Sequence, residues 1–232
     1  MLKISLRHQN KQILKFNQTI MKRNIYNLII LDRSGSMGSI ALSAIDGVNR
    51  TVASIVESIT SEDSCKQTIS LMTFCGCNSD YIYKDANPSQ VKALTSRDYQ
   101  PCCTTPLYDA IGRGINDLLE KVKADKNAVG SVTIITDGYE NSSTKFSRED
   151  VKKLIDQVKE MGWMVAYIGA DHDVERVAFE LSIQNTMSFD KNPEGVQRMF
   201  AVESRSRRAW SEKVKDCLGV GELKSASKNY FD

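Results

Sequence analysis

The sequence lacks several features that would assign it to a particular class of protein. It has no run of 18 or more apolar residues, so it predicts no membrane-spanning helix. Residues 1–24 lack the continuous apolar stretch of an export signal, and a location in the cytoplasm is therefore expected. The formal net charge is only +2, which argues against a nucleic-acid partner because such proteins usually carry a clear basic excess.

One local basic cluster is present near the end of the chain. Arg205, Arg207 and Arg208 lie on a predicted helix whose apolar positions include Val202 and Ala209. Charges grouped along a helix usually form a solvated face. We therefore expect these arginines to be exposed, rather than to form a nucleic-acid-binding patch.

Histidine is scarce, with two residues, whereas cysteine occurs six times. Without an export signal, the cysteines are expected to be reduced thiols rather than a disulfide framework. Cys75 and Cys77 form one close pair, and Cys102 and Cys103 form another. Neither pair has the gap of two to four residues typical of a structural zinc site, so small packing residues are favoured over zinc ligands, and redox sensitivity stays open. His172 is expected in a solvated loop, with the lining of a cleft as the alternative.

The hydrophobic pattern alternates between strands and helices from residue 24 onwards. Strands are predicted at 25–31, 68–74, 81–83, 132–136, 164–168 and 186–189, and helices at 45–59, 106–122, 147–162, 174–181 and from 193. This order predicts a doubly wound, Rossmann-like α/β fold, with a mostly parallel central sheet, one short antiparallel edge strand and helices on both faces. We divide the chain into a loosely ordered N-terminal extension (1–23), one domain (24–212) and a C-terminal tail (213–232), loosely held after about Gly219.

Oxygen-bearing side chains follow the ends of the predicted strands. Asp32, Ser34 and Ser36 leave the first strand, Thr104 and Thr105 lie in the loop before a helix, and Asp137 follows the strand at 132–136. In parallel sheets, ligands bind outside the carboxyl ends of the strands. Two carboxylates and several hydroxyls, with no imidazole, suit Mg²⁺ or Mn²⁺. The sequence therefore predicts a divalent metal site that leaves a coordination position open.

The same segments resemble the metal-binding elements of von Willebrand factor type A domains. Residues 32–36 resemble the family's D-x-S-x-S element, residues 103–111 its threonine loop, and residues 135–141 its T-D-G element, all in the family's order. Residues 167–173 and 185–189 resemble segments of bacterial and phage members. The resemblance covers about residues 24–210, and the three-part set is much more specific than any one part.

The resemblance implies a metal-ion-dependent adhesion site holding one Mg²⁺ or Mn²⁺. Ser34 and Ser36 would bind the ion directly, and Thr105 would do so directly or through water. Asp32 and Asp137 would act mostly through water or as hydrogen-bond partners. A Glu or Asp side chain of a protein partner would complete the coordination, so the resemblance implies a metal-dependent binding module and not an enzyme.

Several alternatives stay open at this stage. Serine and threonine after a strand often only form turns or cap helices, and Thr104 could take the place of Thr105. A metal-dependent, phosphatase-like hydrolase could use Asp32 as its nucleophile, although Ser34 stands where such enzymes have a second aspartate. The site could also be vestigial in a structural module. Asp109, one turn into a helix, is predicted to be structural.

Overall fold

A computed structural model describes residues 22–59 and 65–231, so most of the predicted N-terminal extension lies outside the described residues. The strands are β1 (Asn24–Asp32), β2 (Gln67–Phe74), β3 (Ser79–Ala86), β4 (Ala128–Thr136), β5 (Met164–Gly169) and β6 (Asn185–Ser188). The α-helices are α1 (Ala41–Glu57), α2 (Leu107–Val122), α3 (Arg148–Glu160), α4 (Val174–Glu180), α5 (Pro193–Lys215) and α6 (Val220–Ala226). Among the described residues, no helix is both long and apolar enough to cross a membrane.

The six strands form one sheet in the order β3-β2-β1-β4-β5-β6. Only β3 is antiparallel to its neighbour, and every other pair is parallel, which confirms the predicted fold class. The edge strand β3 is longer than the predicted 81–83. Successive connections run in opposite directions from β1, so the crevice at the carboxyl ends of β1 and β4 is the switch point of the sheet, where ligands bind in such folds.

The sheet is covered on both faces, which is why its central strands are apolar throughout. Alternate residues of β1 enter different cores: Leu28 and Ile30 pack with α2 and α3, whereas Ile29 and Leu31 pack with α1 and the first half of α5. All but the first residue of β1 are buried. This double burial holds the end of β1 rigidly and fixes the loop that follows it.

The predicted start and end of α3 are confirmed. The Asp150 N–H donates to Ser147 Oγ at 3.2 Å and the Ser147 N–H donates to Asp150 Oδ2 at 3.0 Å, which is a reciprocal capping box. Gly162 follows the helix with a φ of +85°, a conformation that favours glycine.

The C-terminal segment differs from the loosely held tail that was expected. Helix α6 packs on the domain through Leu223, and Tyr230 is also buried. Trp210 Nε1 donates to Ser227 Oγ at 3.0 Å, and the Tyr230 N–H donates to Asn185 Oδ1 at 3.1 Å. Apolar residues spaced too sparsely to show a period in the sequence thus complete the core at this end of the sheet.

The expectation that the arginines of α5 are all solvated is wrong for one of them. Arg205 and Arg208 are exposed, but Arg207 is only 2% exposed and lies against the sheet beside Glu203. The apolar register inferred from Val202 and nearby alanines was misplaced. The buried face of α5 instead carries Val196, Met199, Phe200, Trp210 and Val214.

Candidate metal centre

Asp32 is fixed at the end of β1. Its side chain is fully buried, Oδ1 accepts the Ser34 N–H at 2.6 Å, and Oδ2 accepts the Thr136 hydroxyl at 2.6 Å. The Tyr99 hydroxyl donates to the Asp32 main-chain carbonyl at 2.5 Å. Burial raises the pKa of Asp32 to about 6, although the hydrogen bonds from Thr136 and Ser34 oppose that rise. The carboxylate is therefore held in one orientation.

The two serines and the second aspartate lie in direct contact. Ser34 Oγ is 3.1 Å from Ser36 Oγ, and the Ser36 hydroxyl donates to Asp137 Oδ1 at 2.6 Å. Neighbouring oxygens around an octahedral Mg²⁺, with metal–oxygen distances of about 2.1 Å, lie about 3.0 Å apart. The spacing of the serine hydroxyls is therefore one that two adjacent ligands of a single small cation would have.

Thr105 is held beside these residues by its loop. The Gly35 N–H donates to the Cys103 carbonyl at 3.1 Å, which joins this loop to the turn after β1. The Thr105 N–H donates to Asn141 Oδ1 at 2.8 Å, and the Asn141 N–H donates to the Thr105 carbonyl at 3.2 Å, which joins it to the turn after β4. Thr105 is 4% exposed, whereas Thr104 is exposed. The three segments thus meet at one edge of the sheet.

A lysine faces the second aspartate. Lys191 Nζ lies 2.9 Å from Asp137 Oδ2 and 3.2 Å from Asp171 Oδ2. Asp137 Oδ2 is buried, and among the described residues the polar contact recorded for it is this ion pair with Lys191. Partial burial lowers the pKa of Lys191, but its pairing with both aspartates outweighs this and leaves the pKa above its usual value. A buried carboxylate oxygen that pairs with a lysine ammonium can pair with a metal cation in its place, because carboxylate oxygens are suitable ligands for such ions.

The predicted structural role of Asp109 is confirmed. Its carboxylate accepts the N–H groups of Thr144, Lys145 and Phe146 at 2.8 to 3.0 Å. Glu140 acts in a similar way, since its oxygens accept the N–H groups of Ser142 and Ser143, both at 2.7 Å, and that of Tyr108 at 2.9 Å. These carboxylates fix the loop after β4 onto the start of α2.

Several residues of the centre were not predicted from the sequence. Thr136 directly precedes Asp137, so its position in the T-D-G element was a usable signal. Asn141 lies in the same segment. Tyr99 and Lys191 approach from loops distant in sequence, and no local pattern indicates that they reach the end of β1.

The cysteines beside this centre correct the expectation of reduced thiols throughout. Cys77 and Cys103 form a disulfide, with an Sγ–Sγ distance of 2.06 Å. Cys75 Sγ and Cys102 Sγ lie 3.2 Å apart. Composition could not show this, because the two pairs are 25 or more residues apart along the chain and meet only when the loop after β2 folds against the loop before α2.

His172 is half-buried and has tertiary partners, unlike the solvated loop residue that was expected. Its Nε2 lies 3.0 Å from the Tyr167 hydroxyl, and its ring meets Tyr139 edge-on with centroids 5.1 Å apart. His172 therefore helps to pack the loop after β5.

A doubly wound α/β sheet with carboxylate and hydroxyl oxygens gathered at its switch point defines the class of this domain. The chain belongs to the von Willebrand factor type A domain family, whose model matches residues 28–207, more than half of the chain. No curated protein matches it closely enough to count as a relative.

Solved structures share the fold. The PilB minor pilin from Streptococcus sanguinis superposes with a TM-score of 0.58 at 13% identity, covering 81% of this chain and 62% of that one. Proximal thread matrix protein 1 from the mussel byssus is described with a zinc-occupied MIDAS motif. It superposes with a TM-score of 0.56 at 11% sequence identity, covering 78% of this chain and 47% of that one. The SpRpn10 VWA domain superposes with a TM-score of 0.54 at 11% sequence identity, covering 78% of this chain and 95% of that one. The chain thus spans less than two thirds of the pilin and the mussel protein.

Proposed function

We propose that this domain binds one divalent cation, Mg²⁺ or Mn²⁺, at the candidate centre and uses it to bind a carboxylate of a protein partner. The observation that carries the proposal is the contact series from Ser34 through Ser36 to Asp137, next to the fixed Asp32. The mussel protein, which shares the fold, is described with a metal-occupied motif of this kind.

The residues would divide the work by position. Ser34 and Ser36 would bind the ion directly, Thr105 directly or through water, and Asp32 and Asp137 would orient the hydroxyls and waters around it. Two carboxylates offset the charge of a divalent ion to about zero, so the ion keeps its affinity for one more anionic oxygen. A carboxylate from a partner is a ligand of that kind.

The position of Asp32 favours binding over hydrolysis. A nucleophilic aspartate needs an oxygen that can reach the substrate. Both oxygens of Asp32 already accept hydrogen bonds, and the side chain is fully buried. It is therefore placed to orient other groups. A screen for metal-dependent hydrolysis of phosphate esters tests the alternative, and turnover lost in Asp32→Ala would favour it.

Calorimetric titration with Mg²⁺ and Mn²⁺ tests the metal centre. We expect saturable binding of one ion by the full chain, and loss of that binding in Asp137→Ala, because this change removes an oxygen that contacts Ser36. Asp156→Asn, which changes an exposed aspartate on α3, is the matched control and should bind like the parent. Absence of saturable binding in the parent protein would contradict the proposal.

The partner's contribution needs a separate measurement. The immobilised domain should retain protein from a lysate of its source with Mg²⁺ present and release it on chelation, and Ser36→Ala should retain none. Converting the carboxylates of the captured protein to amides should abolish the interaction, because a neutral amide is a much weaker ligand for Mg²⁺. Capture that survives chelation, or survives amidation, would contradict a metal-bridged carboxylate.

Lys191 is expected to compete with the metal ion. Its ammonium already pairs with Asp137 Oδ2 at 2.9 Å, so a cation must replace or repel it. Lys191→Gln should therefore tighten Mg²⁺ binding by about threefold to tenfold, the range of a modest ion pair. Arg198→Gln, which removes an exposed cation paired with Asp190, is the control and should leave the affinity unchanged. Weaker Mg²⁺ binding by Lys191→Gln would show that the lysine supports the site.

A further inference from the structure

Four cysteines from two loops meet beside the candidate metal centre. We call them the cysteine cluster: Cys75, Cys77, Cys102 and Cys103. The Sγ atoms of Cys75, Cys77 and Cys102 all lie within 4.8 Å of one another, and Cys103 Sγ is bonded to that of Cys77. Such convergence is unexpected for residues that serve only as small side chains in separate loops.

The backbone holds the two loops together independently of the sulfurs. The Gly76 N–H donates to the Thr104 carbonyl at 2.8 Å and joins the two loops directly, and the Cys102 N–H donates to the carbonyl of Arg33, in the turn after β1, at 2.9 Å. A Cβ on Gly76 would lie only 2.1 Å from Thr104 Oγ1, so the glycine between Cys75 and Cys77 permits this close approach. The positions of the sulfurs therefore follow from the fold of both loops.

A nearby cation matches the charge that thiolates would bring. Arg33 Nη2 lies 3.5 Å from Cys75 Sγ, and the same guanidinium donates to Asn78 Oδ1. Burial raises the pKa of the Cys75 thiol. Two kinds of interaction more than offset the effect of burial and leave the pKa of Cys75 below its usual value. They are the hydrogen bonds with the backbone of Asn78 and Cys77 and with the Cys102 side chain, and the positive charge of Arg33. The surroundings of Cys75 thus favour the thiolate, the form that binds metals.

We propose that the cysteine cluster is a second metal site, which takes a thiolate-preferring ion such as Zn²⁺ when the Cys77–Cys103 disulfide is reduced. A dithiol reductant would supply two electrons and two protons to that bond and become a disulfide itself. One Zn²⁺ would then displace the protons of the four thiols and form four Zn–S bonds, with release of four protons. The resulting centre would carry a formal charge of 2−, partly balanced by Arg33.

The chemistry of this site differs from that of the oxygen centre next to it. Sulfur ligands select Zn²⁺ over Mg²⁺, whereas carboxylates and hydroxyls do the reverse. The cluster does not depend on the proposed function, because none of its sulfurs belongs to the oxygen set. The two ions can therefore be measured in one sample, with Mg²⁺ in excess to fill the oxygen centre.

Cobalt substitution tests the proposal on the full chain. Protein reduced with a dithiol and freed of the reductant without air would be titrated with Co²⁺ in excess Mg²⁺. We expect near-ultraviolet sulfur-to-cobalt charge-transfer bands and intense visible bands, both lost when one Zn²⁺ per chain is added. Protein with the disulfide intact should show neither. Reduced protein without these bands would overturn the proposal.

Variants assign the signal to the cluster. Cys102→Ser and Cys77→Ser should weaken the charge-transfer bands, because each leaves three of the four sulfur ligands, whereas Cys217→Ser, which changes a buried cysteine whose thiol donates to the Lys213 carbonyl, should leave them unchanged. Asp137→Ala should also keep them, which separates failure of the oxygen centre from failure of this site. Thermal melts would confirm that each variant is folded. Bands of unchanged intensity in both cluster variants, or bands that vanish in Asp137→Ala, would overturn the assignment.

Discussion

Replacing Arg207 with methionine is expected to lower the free energy of unfolding by about 3–5 kcal/mol. The guanidinium is buried between α5 and the sheet, and it donates to Glu203 Oε1, Asn27 Oδ1, Ser131 Oγ and Thr133 Oγ1 at 2.5 to 2.9 Å. Its removal leaves the Glu203 carboxylate, which is 1% exposed, without its countercharge. Three neutral acceptors on β1 and β4 lose their donor at the same time.

Two further variants separate the effect of leaving a charge buried and unpaired from the effect of losing an arginine side chain. Arg208→Met removes an exposed guanidinium that pairs with Glu57, and it should cost no more than about 1 kcal/mol. Combining Arg207→Met with Glu203→Leu should recover part of the lost stability, because no charge is then left buried. Urea unfolding in the presence of a chelator measures the free energy of unfolding of the parent and of each variant. An Arg207→Met protein as stable as Arg208→Met would contradict the expected effect.

Arg207 also shows what a local pattern cannot reveal. Arginines spaced along a polar helix are usually solvated, and charged side chains are rarely buried unless paired. The partners that make burial possible here are Asn27 on β1, Ser131 and Thr133 on β4, and Glu203 one turn earlier on α5. Three of these four are remote in sequence. Polar residues within otherwise apolar strands were the available signal, since a strand buried on both faces must pair them.

The fold and the oxygen set were more predictable, because they depend on local periodicity and on one topological rule. Runs of apolar residues in β1 and β4 identify buried parallel strands, and the rule that ligands lie at strand ends brings Asp32 and Asp137 together. Contacts between loops have no such rule. Lys191 reaches Asp137 and the two cysteine pairs meet only through tertiary structure, so neither could be inferred from spacing.

Replacing Asp32 with asparagine is expected to have opposite effects on metal binding and on the stability of the metal-free protein. On the proposed centre, loss of the carboxylate should abolish detectable Mg²⁺ binding. Without metal, the same change removes a buried charge but keeps its hydrogen bonds. The amide oxygen can accept the Ser34 N–H, and the amide nitrogen can donate to Thr136 Oγ1. The metal-free variant should therefore be the more stable protein.

The pKa of Asp32 gives the size and the pH range of this gain. Burial raises it from 3.8 to about 6, and a shift of about two pKa units corresponds to on the order of 2 kcal/mol after allowance for relaxation. Because the folded pKa lies above the unfolded one, the cost of the charge is absent below about pH 4, develops between pH 4 and 6, and is complete above that. The stability of Asp32→Asn relative to the parent should therefore increase over the same pH range.

Urea unfolding in chelator across this pH range measures the gain, with Asp156→Asn as a surface control that should show no such course. Adding saturating Mg²⁺ at neutral pH should then stabilise only the parent protein, because an ion that binds the folded state alone adds its binding free energy to stability. The free energy of unfolding of the parent should rise with the Mg²⁺ concentration, whereas that of the variant should not. The parent should become the more stable protein once the binding free energy of the ion exceeds the cost of the buried charge. A variant that is less stable than the parent in chelator would show that the Asp32 carboxylate supports the fold, and that its burial does not reflect the demands of a metal ligand.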